Sequence, residues 1–349
     1  MNLYVLNQSF QIIGYIDVFE SLEWISRYYD TGEFILVTVY DERAQEILKK
    51  RNYVVREDDG QICIIEKITI STNIEEGNKI TVQGKSIENI LARRIIYNQT
   101  SSNSQETAES FIRRLITENA INPTDPKRKL PGLKLGSLQG FNDPISIQKT
   151  GDNLLTAIKE ICQNYNYGFK ITMDDNGDLV FDLYKGIDRS YQQSENPYVI
   201  FSNDFENLIN AEYEYDESTY CNMALIGGEG EGTARKYNTV GNDKEGYERY
   251  ELFVDAKDIS TNNGEIGTAE YNQLLIERGK EKLAESSYTE VLTGETDVTR
   301  QYQYKKDFDL GDIVHVENGY QSDPRILEIA ESQNEEGYKV APTFGAWEV

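Results

Sequence analysis

ITVQGKSIENILARRII, residues 80–96, reads as a strand that runs through Gly84 into one short helix and out into another extended run. Ile80 and Val82 alternate with polar neighbours, the period of a half-buried strand. Ser86 is placed to cap the turn that follows, and Glu88 lies in its first turn, where an acid suits the helix dipole. Ile87, Ile90 and Leu91 fall on one face at i, i+3 and i+4. Arg93 and Arg94 occupy the C-terminal end, where positive charge is favoured. A strand joined so closely to a helical plug suits a small β-barrel capped at one end, and the rest of the chain is legible as elements that close, interrupt and repeat that barrel.

Upstream, residues 1–17 carry the alternation of a β-hairpin, and Phe34–Tyr40 is a Val- and Ile-rich strand. Asp41 caps a short helix whose Ala44, Ile47 and Leu48 face inward. Tyr53–Arg56 and Ile62–Ser71 are strands joined by an Asp59-Gly60 turn. Downstream, the polar run NQTSSNSQ at residues 98–105 marks a boundary. Thr107–Asn119 follows as an amphipathic helix, then a Pro- and Gly-containing loop over residues 122–140. A helix capped by Asp152 runs to Asn164, and Phe169–Met173 pairs with Leu179–Leu183 around Asn176-Gly177. From Tyr198 strands return: Leu208–Tyr215 and Tyr220–Ile226. Arg235–Tyr250 reads as a polar loop and Thr268–Ala284 as a helix. Later strands lie around Val291, Ile313–Val316, Ile326–Ile329 and Tyr338–Val340.

The length, 349 residues, argues for two or three domains. The expected class is α+β, mainly β: two antiparallel β-barrel domains with a small α/β domain inserted. Residues 1–98 make the first barrel and 99–197 the insert. Residues 198–235 are return strands completing the first barrel region, and 236–349 form the second barrel with one long helix. The formal net charge of −25 disfavours a binder of nucleic-acid backbone, which neutralises phosphates with Lys and Arg. An acidic wall instead keeps a phosphate chain from sticking. No signal peptide and no membrane-spanning run is apparent.

Candidate chemistry resolves into bland readings. Cys63, Cys162 and Cys221 are far apart and lack a C-x-x-C spacing, so they read as buried thiols rather than a disulfide framework or a zinc site. Asp174-Asp175-Asn176-Gly177-Asp178 fails the calcium-loop pattern, with Leu179 at the glycine position and Lys185 at the bidentate acid position. It reads as a hairpin turn. In the 227–232 run GGEGEG, Glu229 and Glu231 would repel a phosphate, so the run reads as a loop. His315 is the only histidine, set in a strand without a nucleophile elbow. The 60 acids make any single pair for glycoside hydrolysis impossible to pick. No catalytic, cofactor-binding or metal residue is assigned.

The Gly84-Lys85-Ser86 stretch, with Leu91 and Arg93-Arg94-Ile95 after it, resembles the first-domain motif of the siphovirus ReqiPepy6-like family of phage tail proteins. Phe308-Asp309-Leu310-Gly311-Asp312-Ile313-Val314, followed by Arg325-Ile326 and Pro342-Thr343-Phe344-Gly345, resembles the closing part of the same family. Ile16-Asp17, Ser21-Leu22, Trp24, Gly32 and Phe34 also fit. The resemblance implies a baseplate hub or tail-tip protein, non-enzymatic and without cofactor, built of two tail-tube-like barrels. It implies a homotrimeric ring adapting a six-fold tube to a three-fold tip. Its partners would be the distal tail or tube protein, the tape measure and a spike or tip protein, with DNA passing the lumen unbound. The place implied is the virion tail, after synthesis in the host bacterial cytoplasm. Two other classes compete: a tail-associated cell-wall carbohydrate-binding protein or hydrolase, and a monomeric β-rich binding protein.

Overall fold

The computed structural model describes residues 1–73, 77–261, 264, 266–296, 302–317 and 321–345. The first block contains β1 (Leu3–Leu6), β2 (Ile12–Ile16), β3 (Ser21–Arg27), β4 (Glu33–Val39), α1 (Glu42–Ile47), β5 (Tyr53–Arg56), β6 (Ile62–Asn73) and β7 (Gly77–Ser86). Asp41 caps α1 as its sequence requires, accepting the Ala44 amide at 2.7 Å. A 3₁₀ turn over Ile87–Arg93 follows β7. Ser86 makes no side-chain cap bond there.

The insert adds β8 (Thr100–Ser101), α2 (Ala108–Ile116), β9 (Leu133–Leu135), β10 (Gln148–Lys149), α3 (Leu154–Asn164), β11 (Gly168–Met173) and β12 (Leu179–Tyr184). The cap of α3 is Asn153, whose side chain accepts the Leu155 and Thr156 amides. Asp152, the expected cap, accepts the Thr150 amide instead. β9 lies inside the expected 122–140 loop and pairs parallel with β12.

The remainder holds β13 (Ile200–Ser202), β14 (Leu208–Asp216), β15 (Met223–Gly227), β16 (Tyr237–Val240), β17 (Glu251–Asp255), α4 (Thr268–Glu285), β18 (Thr289–Thr296), β19 (His315–Glu317), β20 (Gln321–Ser322), β21 (Arg325–Asn334) and β22 (Gly337–Gly345). β16 falls where a loop was expected. It forms a small sheet with β15 and β17, one face of which is covered by α4 through Ala224, Ile226, Val254, Tyr271, Leu274 and Leu275.

The fold is mainly β, but its largest sheet is open. Eleven strands run in the order β14-β18-β22-β21-β3-β4-β7-β6-β5-β1-β2. The expected pair of separate barrels is thus one continuous sheet among the described residues, because β3 pairs antiparallel with β21 over Leu22–Arg27. Residues 198–235 do not complete the first block. β13 pairs with β19 and β14 with β18, both strands of the second. The 3₁₀ turn is no barrel cap either. Its buried Ile87, Ile90 and Leu91 join a core shared with Phe111, Leu115, Ile158 and Phe181 of the insert. The amphipathic face was read correctly, but it packs between the insert and Leu6, Tyr53, Val55, Ile62 and Ile64 of the sheet instead of closing a barrel.

Candidate assembly surface

The two family-like motifs meet where all three parts of the chain touch. Gly84 is opposite the β6 bulge at Ile65/Lys67, and an added Cβ would lie 1.6 Å from the Ile64 carbonyl oxygen. Only glycine lets β7 follow β6 through that bulge. At the far motif, Gly311 has φ +91, and its missing Cβ leaves room for the Tyr28 ring. The Tyr28 hydroxyl donates to the Asn166 carbonyl at 2.9 Å, and Arg325 stacks over its ring at 5.4 Å. Asp312 is buried and accepts the Ile187 amide and the Arg189 guanidinium, both at 2.7 Å. One turn of chain thereby holds the exit of the insert against the first block.

A cavity of 390 Å³ opens at this junction, with Trp24, Glu88, Phe169, Tyr184, Tyr304 and Asp309 among its walls. Glu88 accepts the Ile171 amide at 2.7 Å. Burial raises the pKa of its carboxyl and of Asp309 above the ordinary range. Beside it, Arg56 is fully buried and is bound by Glu331 of β21 and by Asp58, the latter at 2.6 Å. Burial opposes the Glu331 charge, but the Arg56 hydrogen bonds and charge override it and hold the carboxyl below its ordinary value. The sequence reading missed Arg56, Tyr28 and Lys149, the last buried between Glu160 of the insert and Glu281 of α4. One signal was present for the cluster: Glu331 shares the inward parity of Ile329 in β21, an acid where an apolar residue is expected.

The residues weighed as chemistry are structurally committed. Asp174 accepts the Asn176 and Asp178 amides across the β11–β12 turn and pairs with Lys134. The GGEGEG loop is held by Arg235, which donates to the Gly227 and Gly228 carbonyls. His315 is buried, with Nδ1 2.6 Å from Asp323 and Nε2 3.1 Å from Glu317, and its ring lies against Tyr191. Cys63 and Cys162 are buried, whereas Cys221 is partly exposed. No cluster of metal-ligating side chains occurs among the described residues, and no described helix is long and apolar enough to cross a membrane.

What the fold leaves open is sheet edge. β14 ends the sheet on one side. On the other, β6 is covered at Ile62–Ile64 by β5 and at Ile65 by Arg51 and Asn52, so among the described residues its outer half pairs with β7 alone. Counting the two edge strands, eight strands make up this span, four on each side of the seam between β3 and β21. One face of this span packs on core through Trp24, Phe34, Val82, Ile329, Val340 and Leu292. The opposite face packs on no core among the described residues. Its described side chains include Glu23, Glu33, Glu212, Glu214, Asp216, Glu295 and Glu328 against Arg27, Lys67, Lys79, Lys85 and Lys339. Arg27 bridges Glu33 and Glu328 there, both at 2.6 Å. The acidic excess of the chain is therefore not concentrated on this face.

A profile of the family described as "Siphovirus ReqiPepy6 Gp37-like protein" matches residues 2–346. No curated relative matches the chain. Among solved structures, the chain is similar to a tail protein of Neisseria meningitidis MC58, at 14% identity and TM-score 0.59 over 99% of this chain and 96% of that one. It is similar to the 43 kDa tail protein of prophage MuSo2 from Shewanella oneidensis, at 13% identity and TM-score 0.56 over 99% and 98% of the two chains. It is also similar to prophage tail protein gp18 of Listeria monocytogenes EGD-e, at 13% identity and TM-score 0.54 over 100% and 96%. At these identities the likeness is one of fold.

Proposed function

Because the chain belongs to the Siphovirus ReqiPepy6 Gp37-like family of phage tail proteins, we propose that it is a structural hub or tail-tip component that works by symmetric assembly and catalyses no reaction. The observation that carries this reading is the eight-strand span with an open edge at each end. Unpaired edges invite strand addition, and native proteins blunt or cover them unless pairing is their use. The two edges differ, so copies join head to tail, and a head-to-tail contact closes only as a ring. Three copies would give a ring with two four-strand units each, six in all, which suits the passage from a six-fold tube to a three-fold tip. In that ring the two four-strand units act as the barrel domains, with residues 99–197 an insert outside them. The coreless face, polar and nearly charge-balanced, would line the lumen and let DNA pass without holding it. The partners would be a distal tail or tube protein, a tape measure and a spike or tip protein, met after synthesis in the host cytoplasm.

Class-averaged electron micrographs of particles carrying a labelled chain test the reading. Three labels around the axis at the far end of the tube support it. Label along the tube wall, in the head or absent from particles overturns it.

A further inference from the structure

Beside the free half of β6 lies a groove of 480 Å³ lined by Lys50, Arg51, Tyr53 and Arg93. Lys50, Arg51 and Arg93 are exposed, and among the described residues none of them forms an ion pair. The same holds for Lys67, exposed on the open half of β6. Glu66, the carboxylate lining this groove, is engaged by the Asn89 amide at 2.8 Å. In a chain with 60 acids and 35 bases, a group of four unmatched cations is a local reversal of sign.

The opposite edge carries the complementary charge. On β14, Glu212, Glu214 and Asp216 alternate onto one face and are exposed, ~7 Å between successive carboxylates. Glu212 and Glu214 have no cationic partner among the described residues. That face is the coreless one. Glu212 is opposite Thr293 on β18, and Lys67 reaches the same face opposite Gln83 on β7.

We infer that the contact between copies is charge-keyed: the acidic β14 edge of one copy docks on the Lys50/Arg51/Arg93 groove and free β6 edge of the next. The inference rests on the ring proposed above and names the surfaces that make it. Adding β14 along Lys67–Thr72 keeps the coreless face continuous and sets Glu212 and Glu214 beside Lys67. One end of the added strand then points at Lys50 and Arg51, which lie where β5 stops pairing with β6. The key also forbids wrong contacts. Two β14 edges, or two grooves, would set like charges together.

The test is sedimentation of the full chain, up to millimolar concentration, in 50 and 500 mM salt, with carbodiimide coupling to join touching carboxylates and amines. The key requires a trimer that weakens by on the order of tenfold or more at high salt. It requires coupled peptides joining Glu212 or Glu214 to Lys50 or Lys67. The chain with Glu212→Lys and Glu214→Lys should fold, as judged by an unchanged melting curve, yet stay monomeric. Adding Lys50→Glu and Lys67→Glu to that same chain should restore the trimer. A trimer indifferent to salt and to charge reversal, or coupled through other peptides, overturns the key and leaves the ring standing. A chain monomeric under every condition overturns ring and key together.

Discussion

Gly84 and Tyr28 show what single residues do here. With the Ile64 oxygen 1.6 Å from the site of a Cβ, Gly84→Ala must break the bulge or push β6 from β7. We expect a loss of about 3 kcal/mol or more, read by urea unfolding. Arg56→Ala should cost about 3–5 kcal/mol, because it strands the buried Glu331 carboxylate. The carboxylates give two opposite pH trends. Glu331 and Asp58 have lowered folded pKa values, so their stabilisation is present above the ordinary carboxylate range of about 4 and is lost as pH falls through the folded values. Glu88 and Asp309 have raised values, so theirs is complete below about pH 4 and is lost as pH rises through the folded values. Glu88→Gln keeps the acceptor for the Ile171 amide and removes the Glu88 share of the second trend. Its unfolding midpoint should exceed wild type at pH 7 and converge with it near pH 4. A midpoint that stays equal at both pH values would refute the assignment. Gly84 was legible as a strand position on the way into a short helix. That it answers a bulge in β6 was not, because a bulge is a property of two strands in register and neither sequence alone carries it.

Elements were easier to read than their neighbours. α2, α4, β7, β11 and β12 follow directly from period and caps, since those signals are local. β16 was hidden because its Tyr237 and Thr239 are exposed and its alternation is polar. The pairing of β14 with β18 was hidden because the 72 residues between them leave no local trace. The attachment of α4 to the insert was hidden too. It depends on Lys149, buried between Glu281 and Glu160, the latter at 2.6 Å. Lys149→Met leaves two acids facing each other in a desolvated site. Amide exchange along α4 and β15 should then rise by at least tenfold while β3 and β4 stay protected. Equal protection in wild type and variant would show that apolar packing alone seats α4.

Across the whole molecule, net charge proved a poor guide to local potential. The −25 total is real, yet the coreless face is nearly balanced and one groove is basic. In the proposed ring, passage of DNA would therefore need no acidic wall. We expect no retention of the purified chain on duplex DNA at 150 mM salt, checked by gel shift, since the basic groove holds few cations and each phosphate contact is weak at that salt. Submicromolar binding would mean that the groove grips a phosphate backbone.

The β3–β21 seam sets a timetable for biosynthesis. Trp24 emerges from the ribosome about 300 residues before Glu331, the residue opposite it. At roughly 5–20 residues per second the strand waits some 15–60 s with a bare flank. A translation product stopped short of Arg325 would keep that flank for good and should be found in inclusion bodies or bound to chaperones, while the full-length polypeptide stays in the supernatant.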